Sequence, residues 1–164
     1  MKSSARQRTG NEKRIKEHID SNVFLEMFTE DAKFGTECTN VLGKFASTNP
    51  VYMGVFSTPV VGEIAQKIIF KLSDSREAVF NVLYKLCTER GIEVFTPTAK
   101  TFELINELKS MNSFLRPMDT LILACAIADR ARIFITLDAN FLNEDFQAEV
   151  KKKYGLLIKN ASRV

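Results

Sequence analysis

Histidine and cysteine are scarce in this 164-residue sequence, which has one His and three Cys. Cys38, Cys87 and Cys125 stand far apart, without the Cys-x-x-Cys spacing that a zinc site or a redox pair requires. They are expected to be buried thiols of a reducing cytoplasm. With His18 alone, two-histidine ribonuclease chemistry is excluded, and any Ser-His-Asp triad would rest on that single residue. No Gly-x-Ser-x-Gly elbow occurs, and the Gly-Lys pair of "LGKFAST" (42–48) lacks the glycine spacing of a phosphate-binding loop. Long apolar runs are missing as well. The longest, Leu121–Ala128, is too short to span a bilayer, and the polar, basic first twenty residues hold no signal-peptide core. The expectation is a soluble, cytoplasmic protein with no membrane partner.

Charge is present but uneven. The net charge is +3, yet Lys2, Arg6, Arg8, Lys13, Arg14 and Lys16 against Glu12 give residues 2–16 a local +5, so the rest of the chain is acidic. Residues 1–14 read as a basic arm, which either contacts nucleic-acid phosphates or is simply solvated. The remaining length, 15–164, fits one domain with a core of its own.

Past the arm, "RIKEHID" reads as a strand ending on Asp20, and "SNVFLEMF" as a short helix. A second short helix is expected over 37–47 and a strand over "VYMGVFST". Pro59 suits the first turn of a helix over about 59–73, whose apolar residues fall at 60, 61, 64, 65, 68, 69 and 72. Glu63, Gln66 and Lys67 take the other side, toward solvent or an open groove. A helix over about 75–90 turns Val79, Val82, Leu83 and Leu86 inward and stops at Gly91. After the strand "IEVFT", the helix 98–111 is expected to turn Phe102, Ile105 and Leu108 inward. A loop, a helix running to about Ala131, the apolar strand "RIFITLD", a charged helix (144–153) and the strand "GLLIKN" follow. Strands separated by helices imply right-handed crossovers and a parallel sheet in a three-layer α/β sandwich.

In such sheets functional groups gather at the carboxyl ends of the strands, near the switch in strand order. Asp20 and Asp138 end strands there, Asp119 opens a helix, and Glu63 lies in the first turn of another. Singly, each aspartate reads equally well as a helix or turn cap. Together at one sheet edge, four acids would repel unless a cation neutralised them, and oxygen-only ligands select hard ions such as Mg²⁺ or Mn²⁺. An aspartyl phosphotransferase would want a second acid two positions after Asp20, where Asn22 stands.

Four segments in order, "IDSNVFLE" (19–26), "STPVVGEI" (57–64), "MDTLILACAIAD" (118–129) and "FITLDANF" (134–141), carry a resemblance to the PIN-domain nucleases, which include VapC-type toxins and ribosomal-RNA-processing endonucleases. The resemblance covers about 19–158 and implies a PIN-like α/β/α domain. It further implies that Asp20, Glu63, Asp119 and Asp138 are catalytic, metal-binding acids for Mg²⁺ or Mn²⁺, with Asn22 and Thr136 as polar residues lining the site. Its implied activity is endonucleolytic hydrolysis of single-stranded RNA to a 5′-phosphate and 3′-hydroxyl. A homodimer and an antitoxin or ribonucleoprotein partner are implied with it. Lys and Arg must guide RNA past the acids, and Arg14, Lys16, Arg116 and Arg130 are the candidates. The Lys151–Lys153 run reads equally as a solvated helix face. The alternative is a PIN-like module that binds RNA or a protein without cutting. Intact acids argue against that reading, and a solvent-facing Glu63 argues for it.

Overall fold

The computed structural model describes residues 14–45, 51–72, 75–89 and 91–164; the expected arm before Arg14 and the end of the expected 37–47 helix lie outside them. In chain order the elements are β1 (Ile15–Ile19), α1 (Ser21–Glu26), α2 (Gly35–Gly43), β2 (Tyr52–Ser57), α3 (Thr58–Lys71), α4 (Arg76–Thr88) and β3 (Ile92–Phe95). Then come α5 (Ala99–Met111), α6 (Pro117–Ala128), β4 (Ile133–Thr136), α7 (Glu144–Tyr154) and β5 (Leu157–Asn160). Single 3₁₀ turns at Ala139–Phe141 and Ala161–Arg163 follow β4 and β5 and were not expected from the sequence. Each opens on a side-chain cap, Asp138 or Asn160.

All five strands are parallel, in the order β3-β2-β1-β4-β5, and helices flank the sheet, as the alternation of elements predicts. The chain steps outward from β1 through β2 to β3, then returns to the other side of β1 as β4. The switch in strand order therefore falls between β1 and β4, and their carboxyl ends frame the crevice where an open α/β sheet places its chemistry. In β4, Phe134, Ile135 and Thr136 are wholly buried, the pattern of a strand covered on both faces. Gly54 in β2 is set by packing: a Cβ there would meet the Phe45 ring at 2.8 Å.

Helix α6 is apolar nearly all round and correspondingly buried from Ile122 to Ile127. It packs against β2, and its two ends meet β1 through side chains. At its far end Asp129 accepts hydrogen bonds from Lys16 and from His18 Nε2 at 2.9 Å, and at its near end Asp119 faces the carboxyl end of β1. Lys16, His18 and Asp20 alternate along β1 and so share one face. His18 is therefore a buried structural partner of Asp129: burial lowers it below its ordinary 6.5 against the raising effect of that carboxylate. Cys38 and Cys125 are buried as expected, and burial pushes them up to about 11, away from reactive thiolates; Cys87 is only half-buried. Among the described residues no helix is long and apolar enough to cross a membrane.

Three expectations about helices need correction. Helix α2 starts at Gly35, two residues early. In α5 the buried stripe is Thr101, Leu104 and Leu108, while Phe102 is 57% exposed. Thr101 is drawn inward because its hydroxyl accepts from Thr98 N–H at 3.0 Å in the helix cap. Helix α6 stops at Ala128 rather than near Ala131, because Arg130 takes the left-handed conformation, φ 59°. Ala131 N–H then donates to Ala126 C=O and Arg130 N–H to Ile127 C=O, both at 3.0 Å, which is a Schellman ending made without glycine. A Cβ in that conformation costs about 1 kcal/mol. Arg130→Gly is accordingly expected to raise stability by roughly 0.5–1 kcal/mol, a Tm gain of about 2 °C in thermal denaturation.

Candidate active site

β1 ends by handing its backbone ladder directly to the site. Asp20 N–H donates to Ile135 C=O at 2.9 Å, so Asp20 lies against β4 as its strand finishes. Both carboxylate oxygens are held, with one acceptor site left on Oδ1: Oδ1 accepts from Ser21 N–H at 2.7 Å, while Oδ2 accepts from Thr136 Oγ1 at 2.7 Å and Asn22 Nδ2 at 2.8 Å. Thr136 Oγ1 in turn accepts from Asp138 N–H at 3.0 Å, and Asn22 Oδ1 accepts from Leu137 N–H at 3.1 Å. Asn22 and Thr136, both expected to line the site, thus clasp the ends of β1 and β4 together. Asp20 is also the N-cap of α1, so the cap reading and the site reading describe the same residue.

The other acids arrive from elsewhere. Asp138 follows β4, and its Oδ1 accepts from Asn140 N–H at 2.8 Å. Asp119 sits in the first turn of α6 but is not the N-cap; Arg116 is, and Asp119 Oδ2 accepts from Arg116 N–H at 3.2 Å. Glu63 lies in the second turn of α3, not the expected first, and of the two expected surroundings it faces the groove: its side chain is 18% exposed, and Oε2 accepts from Ser21 Oγ at 2.6 Å. The helical wheel leaves that side of α3 polar, and α1 then packs across it. Ser21 was missed in the sequence, where its one signal was adjacency to Asp20.

All four expected acids line one pocket of about 250 Å³, joined by Glu26. Two cations also line it. Lys67 Nζ lies 3.4 Å from Glu63 Oε1, and Arg116 pairs with Asp119 at 2.9 Å and Asp138 at 3.5 Å. Five carboxylates against two cations leave three negative charges unbalanced when all are ionised. Asp20 registers this: burial first, then Glu63 and Asp119, push it up to about 6 despite the lowering hydrogen bonds from Thr136 and Ser21. Of the expected RNA contacts, only Arg116 is here. Arg14 pairs with Glu93 at 3.8 Å and Lys16 with Asp129, and Arg130 ends α6; all three lie toward the amino-terminal edge, roughly 15 Å away along β1.

Among the described residues no three acidic, histidine or cysteine side chains stand close enough to hold one metal ion. Arg116 and Lys67 occupy carboxylate oxygens of Asp119, Asp138 and Glu63, and hydrogen bonds occupy those of Asp20. The donor chemistry still fits a hard divalent cation: oxygen atoms only and, among the described residues, an excess of negative charge and no cation paired with buried Asp20. Linkage makes that last feature measurable. An acid whose folded pKa is raised contributes stability below its unfolded value of 3.8, and the contribution is lost as pH rises through about 6. Stability in EDTA is therefore expected to fall as pH rises from 4 through about 6, a slope that is lost in Asp20→Asn, as read by denaturant titrations at each pH.

No curated relative matches the sequence. Several solved structures share the fold. A chain of VapBC2 from Rickettsia felis, bound to a promoter DNA fragment, superimposes with TM-score 0.61 at 16% identity over 89% of this chain and 98% of that one. VapBC-1 from nontypeable Haemophilus influenzae gives 0.61 at 18% identity over 90% and 99%. Mycobacterium tuberculosis VapC20, a Sarcin-Ricin loop cleaving toxin, gives 0.55 at 15% over 81% and 94%. Identities this low establish shape alone. The sequence model of the PIN domain, however, matches residues 18–146, most of the chain and a span that contains all five pocket acids. The protein therefore belongs to the PIN domain family.

Proposed function

We propose that the protein is a metal-dependent endoribonuclease that hydrolyses single-stranded RNA, with Asp20, Glu63, Asp119 and Asp138 as the residues that would hold Mg²⁺ or Mn²⁺. One observation carries the reading: four carboxylates from segments spread across the chain line a single pocket at the strand-order switch, with negative charge left over. Such an ion, when bound, supplies Lewis acidity and a water of lowered pKa. The chain's own groups do the rest. Asn22 and Thr136 fix Asp20, and Ser21 fixes Glu63, so two of the acids are already oriented. Arg116 and Lys67 at the pocket offer the cations that a phosphodiester requires beside so many acids. Neither the raised thiols nor buried His18 provides a nucleophile, consistent with attack by water.

A protein partner of the antitoxin kind belongs to the same proposal, since the structural relatives include toxin–antitoxin complexes. Exposed Ile69, Phe70 and Tyr84 on α3 and α4 supply apolar surface for such a partner or for a second copy of the chain. The second reading, a module that binds RNA without cutting, draws on the separation of the acids. Cleavage of end-labelled single-stranded RNA in Mg²⁺ or Mn²⁺ distinguishes the two. The expected result is cutting by the wild type, silence in EDTA, and a loss of at least about a hundredfold in Asp119→Asn. A gel shift without cleavage in either ion would leave the binding module as the function.

A further inference from the structure

Arg116 is placed with unusual care for an exposed side chain. The loop before it is pinned: Lys109 Nζ donates to Ser113 C=O at 2.6 Å and also to Leu115 C=O, and Leu115 is wholly buried. Pro117 stiffens the residue after it, and the Arg116 N–H is tied to Asp119 Oδ2. With its backbone held, the guanidinium folds back across the pocket. Nε donates to Asp119 Oδ2 at 2.9 Å, Nη2 reaches Asp119 Oδ1 at 3.4 Å, and the same Nη2 reaches Asp138 Oδ2 at 3.5 Å. One planar cation thus engages both oxygens of Asp119 and bridges to the next acid, the arrangement a guanidinium fork makes best. The side chain is nevertheless 68% exposed.

We propose that Arg116 is a built-in, displaceable counter-ion: it holds Asp119 and Asp138 while no divalent ion is bound, and it competes with that ion for the same carboxylate oxygens. The proposal rests on the metal-dependent reading above. Two physical facts make the competition one-sided but real. Ion pairs this exposed are weak, so a divalent ion gathering several carboxylates displaces the fork. The pairs are still satisfied beforehand, so part of the binding free energy of the ion is used to break them, and the apparent affinity is lower than the acids alone would give. Arg116 is then a positioning residue. It keeps two acids oriented that nothing else in the pocket neutralises, and once displaced its solvated side chain is free to meet a phosphate.

The test measures Mn²⁺ binding by titration calorimetry, and Tm in EDTA and in Mn²⁺, for the wild type, Arg116→Gln, Arg116→Lys and Asp20→Asn. Arg116→Gln is expected to bind Mn²⁺ about tenfold more tightly, to melt a few degrees lower in EDTA, and to recover in Mn²⁺. Arg116→Lys keeps the charge but not the fork and is expected to tighten binding by only about threefold, so the comparison survives if the glutamine variant fails to fold. Binding that disappears in Asp20→Asn yet is equal or weaker in both Arg116 variants overturns the counter-ion role and leaves the metal reading standing. Absence of Mn²⁺ binding in every form, or binding indifferent to Asp20→Asn, overturns both.

Discussion

Asp20 and Asp138 reach the same pocket because β1 pairs in parallel with β4, a strand that comes more than a hundred residues later. That ladder runs past the end of β1 through the Asp20 N–H bond to Ile135, and the Thr136 hydroxyl then closes it side chain to side chain. Glu63 depends on it at one remove, since Ser21, the residue that holds it, directly follows Asp20. Asp119 depends on it through α6, whose other end is fastened to β1 by the Lys16–Asp129–His18 contacts. A slip of one residue between β1 and β4 would turn Asp20 to the opposite face of the sheet and dismantle every one of these relations.

Electrostatics in this molecule are divided along β1. At its amino-terminal end, Asp129 is matched: burial alone would raise it, but hydrogen bonds from His18 and Lys16 outweigh burial and hold it below the ordinary carboxylate range. On the opposite face, buried Glu17 has Lys44 at 2.7 Å. At the carboxyl-terminal end the balance fails, and Asp20 is raised instead. Beside one end of the strand Asp129 is half-buried and matched by cations, whereas at the other end Asp20 is fully buried among further carboxylates. Stability alone would not favour that arrangement, and functional sites are where such excess accumulates.

Much of this was legible in the sequence because period and punctuation coincide. The apolar strand at 133–136, Pro59 at the start of α3 and Gly91 after α4 each placed an element within a residue or two. Four of the five pocket acids were marked by their position at strand and helix joints together with family resemblance, and Glu26 was not. What escaped was decided by tertiary contact. Phe102 fits the apolar stripe of α5, but the cap geometry of Thr101 rotates the buried face past it. Glu63 sits on a polar side of α3, and no helical wheel records that α1 covers that side. Arg130 carries no glycine signal, so the end of α6 could not be seen locally. The register that sends Arg116 across the pocket and leaves Arg14, Lys16 and Arg130 toward the opposite edge follows from sheet order, which charge counting does not contain.

Sheet order also sets when the pocket comes into being. The central strand is made first among the five, but its neighbour on one side is the fourth, so β1 must wait through β2 and β3 for the partner that completes its carboxyl end. During synthesis Asp20 and Glu63 emerge well before Asp119 and Asp138 exist. Folding of this long-range kind is slow to nucleate, because loop closure is disfavoured until the late strand arrives. A ribosome-bound chain that has not yet released β4 therefore carries acids but no acid pocket, and the clustered carboxylates appear only as the fold closes.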